Sequence, residues 1–342
     1  MPHISRKKIS YPISDALRTY LSNAGREIEL PIRYKDLLRY EAKYPLSDKY
    51  GNDILWVKLH YSPSDTDEIH AGLKEMYAIM MSHKNTRLIQ HLYIDSIDLC
   101  LYGNTQPFRI RIKNRLNDNQ DYFYVKNADA SRIFGLELEH LLSPNRMNFR
   151  VFQETLLEEH IIGIPGAEFA KNYIAKSRIE NEIRLAKEFV KFNERCFVRL
   201  LGDMHSSNFV VDITPDFEDM NYRIRPIDFD QQCYEGRKSI YLPKYYKQNM
   251  PFIEIGQRNI TVQTMQQYEQ EERSMIAARI RYHHAQLDEL LSAMAVSELS
   301  KVEYIMQLRK GLSHFYQTER FLQCRNMGEI VTLSLKLLIE RN

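Results

Sequence analysis

The most constraining feature of the sequence is a hairpin pattern that separates two groups of polar residues. The segments 209–213 and 222–227 predict short strands, and the polar stretch TPDFEDMN between them predicts a turn. Asn208 precedes the first segment, and Asp228 follows the second. An antiparallel hairpin would bring these two side chains together, although twenty residues separate them along the chain.

The residue types around this hairpin suit phosphoryl transfer from ATP. That reaction needs a carboxylate at the attacking hydroxyl, and an amide oxygen and a second carboxylate to hold Mg²⁺ against the phosphates. Asp203, five residues before Asn208, can supply the first carboxylate, and Asp228 the second. The alternative is an ordinary hairpin with surface Asp and Asn residues at its ends. Gly202 and the Asp-Phe-Asp run at 228–230 favour the phosphoryl-transfer interpretation.

These motifs resemble those of a known superfamily. The segments 202–208 (GDMHSSN) and 227–230 (IDFD) are similar to the G-D-x-H-x-x-N and I-D-F motifs of the atypical kinase-like phosphotransferases, which include the aminoglycoside and choline kinase-like families and the phosphatidylinositol kinases. The resemblance implies an α+β, bilobal protein-kinase-like fold with a small antiparallel-sheet N-lobe, a mostly helical C-lobe and Mg-ATP between them. It also implies that Asp203 is the catalytic base and that Asn208 and Asp228 are metal ligands.

Two positions depart from the family pattern. Leu201 stands where the small-molecule kinases usually carry His, and Asp230 stands where the lipid kinases carry Gly. The acceptor therefore stays open among a small molecule, a lipid headgroup and a protein. Asp230 is either a third acidic contact to magnesium or a cap. His205 either contacts a phosphate, or buttresses Asp203, or is a hydrogen-bonded loop histidine.

Composition excludes some classes of protein. The net charge of +2 gives no case for a nucleic-acid partner. The four cysteines are far apart and form no C-x-x-C motif, which argues against a disulfide framework or a zinc site and favours a reducing compartment. Because no apolar stretch reaches the length of a membrane span, we expect a cytoplasmic protein without a transmembrane segment.

The order of predicted elements agrees with the kinase-like interpretation. We expect an N-terminal extension at 1–90, a kinase-like N-lobe at 91–166 and a kinase-like C-lobe with a helical bundle at 167–342. Alternation and periodicity predict strands at 53–61, 97–102, 108–113, 121–126, 148–157 and 196–201. They predict helices at 13–24, 34–44, 65–82, 130–142, 177–194, 267–294, 299–321 and 326–340, with Ser14 and Ser177 as N-caps.

A lysine is needed to neutralise the phosphates. Lys126 ends the third strand of the predicted N-lobe, and a carboxylate of the following helix should pair with it. Glu137 is favoured over Glu139 because it lies closer to the apolar stripe of that helix. Lys58, with Glu75 on the next helix, is the alternative pair, and an exposed lysine on a structural sheet is the plainer interpretation.

The segment 231–249 and the remaining helices leave functional alternatives open. The segment 231–249 interleaves tyrosines with lysines and arginine, so it is either an anionic-substrate loop or a solvated loop with tyrosines packed on the domain. A catalytically silent kinase-like scaffold that binds a protein partner through its C-terminal helices is one rival function. Nucleotidyl transfer with the same ligands is another.

Overall fold

The computed structural model describes residues 8–48, 50–81, 89–217 and 219–341. Its fold is α+β, because the described residues form a seven-stranded antiparallel sheet in the N-terminal part and are mostly helical in the C-terminal part. By their contacts they divide into two compact units. The first unit comprises Met1–Asp129 and Met147–His160, and the second comprises Ala130–Arg146 and Ile161–Asn342.

The first unit is built on its sheet, in which neighbouring strands run antiparallel in the order β1-β2-β3-β4-β5-β7-β6. The strands are β1 (Ala42–Ser47), β2 (Asp53–His60), β3 (Leu92–Cys100), β4 (Phe108–Asn114), β5 (Gln120–Asn127), β6 (Phe149–Phe152) and β7 (Thr155–Glu159). The helices are α1 (Asp15–Asn23), α2 (Pro63–Met80) and a 3₁₀ turn at Tyr34–Leu38. Thus β1 and β2, which lie in the segment 1–90, belong to the same sheet as the strands that follow it.

The core of the first unit follows from the alternation of its strands. In β4, Phe108, Ile110 and Ile112 are buried, while the residues between them are half-buried. The buried set packs with apolar residues of α2, such as Leu73 and Met76, in one cluster. A strand places alternate side chains on opposite faces, so a single apolar face is enough to build this core.

The second unit is mainly helical and contains a small sheet. Its helices are α3 (Ala130–Leu142), α4 (Gly166–Phe169, continued by a π-helical turn at Ala170–Ile174), α5 (Glu182–Arg199), α6 (Met250–Asn259), α7 (Val262–Tyr282), α8 (His284–Ala295), α9 (Val302–Tyr316) and α10 (Met327–Glu340). Its strands are β8 (Ile164–Pro165), β9 (Phe209–Asp216) and β10 (Asp219–Pro226), in the order β10-β9-β8. Short 3₁₀ turns occupy Lys238–Tyr241, Pro243–Tyr245, Lys247–Asn249 and Glu319–Gln323.

Several element predictions are confirmed. Helix α3 has the predicted bounds, β2 and β4 lie where alternation predicted strands, and Ser14 caps α1 by accepting a hydrogen bond from the Leu17 backbone N–H. The predicted hairpin is also present as β9 and β10.

None of the helices within the described ranges combines the length and the apolarity that crossing a bilayer requires.

Other element predictions are wrong, and the ends of helices account for most of them. Most of the predicted strand at 196–201 is instead the last turn of α5, which ends at Arg199 and is followed by Leu200 in a left-handed conformation with φ 57°. This last part of α5 is buried on every side, so its apolar run lacks the helical period. Ser177 does not cap α5, since its own φ is 51°; Asn181 caps the helix instead.

The remaining differences concern breaks within predicted helices. The predicted helix at 34–44 is a 3₁₀ turn followed by β1, whose interior holds Pro45. The predicted helix at 267–294 is two helices, α7 and α8, which meet at His283. Helix α9 ends at Tyr316, because Gln317 adopts a left-handed conformation with φ 53°.

Candidate functional site

Backbone hydrogen bonds hold the segment that carries Asp203. The Gly202 N–H donates to the Gln231 carbonyl at 3.2 Å, and the Asp203 N–H donates to the Ile240 carbonyl at 3.2 Å. A Cβ at Gly202 would lie 3.1 Å from the Gln231 oxygen, so the close approach favours glycine there. Asp203 itself has a φ of 60°, a left-handed conformation that a non-glycine residue adopts only when its surroundings enforce it. The position of Asp203 is therefore set by two other segments of the second unit.

Asn208 is fixed to the same loop by its side chain. Its Nδ2 donates to the Asp203 carbonyl at 2.8 Å, and its backbone N–H donates to the His205 carbonyl at 2.8 Å. Because the amide nitrogen is used in this way, the Oδ1 atom is the one that can coordinate a cation. Asn208 is thus oriented as the predicted ligand would need to be.

The hairpin brings Asp228 to Asn208. Phe209 of β9 pairs with Pro226 of β10, and the Ile227 N–H donates to the Asn208 carbonyl at 3.0 Å. The residue after Ile227 is Asp228, whose side chain is 37% exposed. The three predicted residues of the site therefore meet at the open end of one hairpin.

A buried arginine, which sequence reasoning missed, holds the segment around Asp228. The Arg132 side chain is 2% exposed, and its Nη1 donates to Asp228 Oδ1 at 2.9 Å and to Asp230 Oδ1 at 2.8 Å. Its Nη2 donates to the Ile227 carbonyl at 3.3 Å. Asp230 is therefore engaged by a cation of the protein. The sequence signal that could have identified Arg132 was a guanidinium beside the apolar run Ile133–Leu136 in the first half of helix α3.

Helix α3 packs tightly against this segment. A Cβ at Gly135 would lie 3.0 Å from the Phe229 Cβ, and Phe229 is fully buried. Ser131 Oγ donates to the Gln232 carbonyl at 2.5 Å. The contacts of Ser131, Arg132 and Gly135 together make α3 the support of the whole segment 228–232.

The electrostatics of the site favour a proton acceptor at Asp203. Burial, together with the negative charges of Asp228 and Glu235, raises the pKa of Asp203 to about 7. Burial also lowers the pKa of His205, which favours its neutral form. The His205 Nε2 lies 4.0 Å from Asp203 Oδ1, and its ring meets the Tyr246 ring edge-on at 6.1 Å. His205 therefore flanks the carboxylate rather than forming a close ion pair with it.

The predicted lysine lies in the first unit. Lys126 is the last residue but one of β5, and its Nζ lies 2.7 Å from Glu158 Oε2, with both side chains less than 10% exposed. Glu137 is fully buried on α3, in the second unit, and its pairing with Lys126 stays a prediction. Glu139 pairs with Arg199 and accepts hydrogen bonds from Ser143 and Asn145, so it has a structural role.

The alternative lysine belongs to a different part of the sheet. Lys58 lies on β2, opposite Asp98 of β3, and is half-buried. Glu75, its proposed partner, is exposed on α2. The choice between Lys126 and Lys58 as the phosphate-neutralising lysine therefore stays a prediction.

The segment 231–249 packs most of its tyrosines on the second unit. Tyr234 and Tyr241 are buried, and the Tyr246 hydroxyl donates to the Ile240 carbonyl at 2.8 Å, while Tyr245 is 61% exposed. Asn249 Nδ2 donates to the Met204 carbonyl at 2.9 Å and ties the end of the segment to the loop that carries Asp203. The segment therefore supports the loop that carries Asp203.

The side-chain oxygens of Asn208 and Asp228 are of the kind that Mg²⁺ prefers. Within the described ranges, no group of three or more His, Cys, Asp or Glu side chains is arranged to hold a metal ion. Magnesium bound with a nucleotide usually takes one or two protein ligands, and phosphate oxygens and waters complete its shell. Asn208 and Asp228 fit that requirement, because they supply one amide oxygen and one carboxylate.

Comparison with known proteins assigns no family to the chain. The sequence matches no protein-family model, and no curated protein matches it. Function is therefore inferred from the geometry around Asp203, Asn208 and Asp228.

Proposed function

We propose that the protein is an ATP- and Mg²⁺-dependent phosphotransferase that moves the γ-phosphate to a hydroxyl acceptor. The observation that carries the proposal is the convergence of Asp203, Asn208 and Asp228 at the end of the β9–β10 hairpin, with the Asn208 amide bound to the Asp203 carbonyl. One proton acceptor and two oxygen ligands are the parts that this reaction requires.

In this proposal Asp203 acts on the acceptor. Its carboxylate orients the attacking hydroxyl and accepts its proton late in the transfer. A pKa of about 7 suits this role, because a base is most effective when its pKa lies near the working pH. The hydrogen bonds of Gly202 and Asp203 to neighbouring segments keep the carboxylate in one place, so little reorganisation is needed.

Asn208 Oδ1 and the Asp228 carboxylate would hold the metal. When bound, Mg²⁺ would supply the positive charge that neutralises the phosphate oxygens. Arg132 fixes the Asp228 carboxylate through Oδ1 and also balances its charge. Lys126 stays the predicted phosphate-neutralising lysine, with Glu137 as its predicted partner.

A kinase-like fold is part of the same proposal. The sheet of the first unit would correspond to the small lobe, and the helical second unit to the large lobe. The chain order of strand, helix α3, two further strands, long helix α5, loop and hairpin supports it. A cytoplasmic location and the identity of the acceptor stay predictions.

Thermal unfolding with and without Mg-ATP tests the nucleotide site first. A ligand that binds only the folded state adds about 2.7 kcal/mol at roughly 100 times its Kd, so the melting temperature should rise. We expect this shift in the wild type and its loss in Asp228→Ala. Asp212→Ala is the matched control, because Asp212 is also half-buried and lies on the same hairpin, away from the site.

Turnover tests the role of Asp203. Asp203→Asn should lower the rate of phosphate transfer by about 10²- to 10⁴-fold, while the Mg-ATP melting shift stays. An unchanged rate would refute the role of Asp203. The mass of the product, one phosphate or one AMP heavier than the acceptor, separates phosphoryl from nucleotidyl transfer.

One observation favours the second candidate function, a silent scaffold. Arg132 already balances the negative charges of Asp228 and Asp230. A protein that binds no metal at this site would need such a counter-charge. If millimolar Mg-ATP leaves the melting temperature of the wild type unchanged, the scaffold function is preferred.

A further inference from the structure

An apolar groove lies in the second unit between helices α5, α6 and α7. Its volume is about 360 Å³, which is within the range of small-molecule sites. Its walls are largely apolar and include Phe189, Phe252, Ile253, Ile260 and Met265. The residues Asp203, Asn208 and Asp228 do not line it.

Gly256 forms an open part of this groove. It lies within α6, and a Cβ built on it would meet no atom of the described residues within 4 Å. Neighbouring helical positions that face a core usually carry a side chain that fills the space. The absence of a side chain on Gly256 therefore leaves room in the groove.

The charges that line the groove favour an anionic group. Lys244 lines it and is exposed, and its ammonium lies 6.0 Å from the centre of the Tyr245 ring. The negative charge of Glu194 also attracts this ammonium, but Glu194 is buried and pairs with Arg273 at 2.8 Å. Glu269 also lines it, but its carboxylate lies 3.6 Å from the guanidinium of Arg273. The positive charge of Lys244 is therefore the one better placed to meet a ligand.

We propose that this groove binds an amphiphile whose apolar part lies against Phe189, Phe252 and Ile253 and whose anionic head lies at Lys244. The proposal goes beyond the phosphotransferase function and does not depend on it. An apolar body with one negatively charged group matches a site with apolar walls and an exposed lysine ammonium.

Binding of anilinonaphthalene sulfonate to the full chain tests the site, because this dye has an apolar ring system and one negative charge. We expect saturable fluorescence that decanoate displaces. Gly256→Leu should weaken dye binding at least tenfold, because the added side chain occupies the groove. The melting temperature should not fall, since leucine is favoured over glycine within a helix.

Gly311→Leu is the matched control. Gly311 is also a helical, half-buried glycine whose Cβ would meet no atom of the described residues within 4 Å, and it does not line the groove. Dye binding should be unchanged in this variant. Equal dye binding in Gly256→Leu and wild type, or no saturable binding in the wild type, would overturn the proposal.

Lys244→Gln tests the anionic head. We expect decanoate to bind roughly two- to fivefold more weakly, as for loss of an exposed ion pair, and decanol to bind equally well. Equal weakening of both would overturn the assignment of Lys244.

Sedimentation of the wild type and of Gly256→Leu tests whether a second copy of the chain occupies the groove instead. A wild-type dimer that Gly256→Leu converts to monomer would show this, and the amphiphile would be rejected.

Discussion

Both units bury apolar side chains, and they differ in that the second unit also encloses fully buried arginines. Between α2 and the sheet, the first unit packs an apolar cluster that includes Leu73, Phe108 and Ile110. In the second unit, Arg132, Arg195 and Arg199 are among the largest fully buried side chains. Their partners are carboxylates, such as Glu139 for Arg199 and Glu188 for Arg195.

The two kinds of interior respond differently to substitution. An apolar cluster tolerates exchange of one hydrophobic residue for another, because its contacts are not directional. A buried guanidinium must meet its acceptors in a defined geometry, since an unpaired buried charge is costly. We infer that the buried arginines of the second unit give the segments 200–208 and 228–232 one arrangement. Four predictions test this contrast.

The largest effect is expected at Arg199. Arg199→Leu leaves the fully buried Glu139 without its charged partner, and loss of one member of a buried pair costs about 3–5 kcal/mol. Urea unfolding of this variant, of Glu139→Leu and of the double variant gives the coupling energy. We expect the double variant to lose less unfolding free energy than the two single variants lose in total. Strict additivity would show that the pair does not act as a unit.

A smaller effect, dependent on metal, is expected at Arg132. Arg132→Gln removes charged hydrogen bonds to Asp228 and Asp230. Because the Asp228 side chain is 37% exposed and water can replace its bond, we expect a net loss of about 1.5–3 kcal/mol. Millimolar Mg²⁺ can replace the missing positive charge, so it should raise the melting temperature more in this variant than in the wild type. Arg223→Gln, an exposed position on β10, is the control. An equal Mg²⁺ shift in all three proteins would argue against a metal site at Asp228.

Conservative exchanges should separate the two cores further. Ile110→Leu, in the fully apolar cluster of the first unit, should cost less than about 1.5 kcal/mol. Arg199→Lys should cost more than this, although the charge is kept, because an ammonium lacks the planar donor arrangement of guanidinium. Denaturant midpoints of the two variants make the comparison. Similar losses would mean that buried charge adds no geometric constraint.

The smallest effect is expected at the helix caps, which work alike in both units. Ser14 caps α1 in the first unit and Asn326 caps α10 in the second, each by accepting a backbone N–H bond. Alanine at either position should cost about 0.5–2 kcal/mol, as measured by thermal unfolding. A much larger loss in one unit would show that the cap also supports tertiary contacts there.

Patterns over a few residues predicted much of the fold. Alternation identified β2 and β4, helical periodicity identified α3 to its ends, and the strand–turn–strand pattern identified the β9–β10 hairpin. The meeting of Asn208 and Asp228 followed from that hairpin alone. The C-terminal end of α5 was not predictable in this way, because complete burial hides the helical period.

By itself, then, the sequence determined several strands, most helices and the choice of the three candidate site residues, because these depend on local pattern and on one short hairpin. The tertiary structure decided which charges meet. Arg132 contacts Asp228 across 96 positions, and Lys126 contacts Glu158 across 32. Such pairs leave no periodic mark in the chain. They form because burial makes an unpaired charge costly, and only the packed fold specifies which partner is within reach.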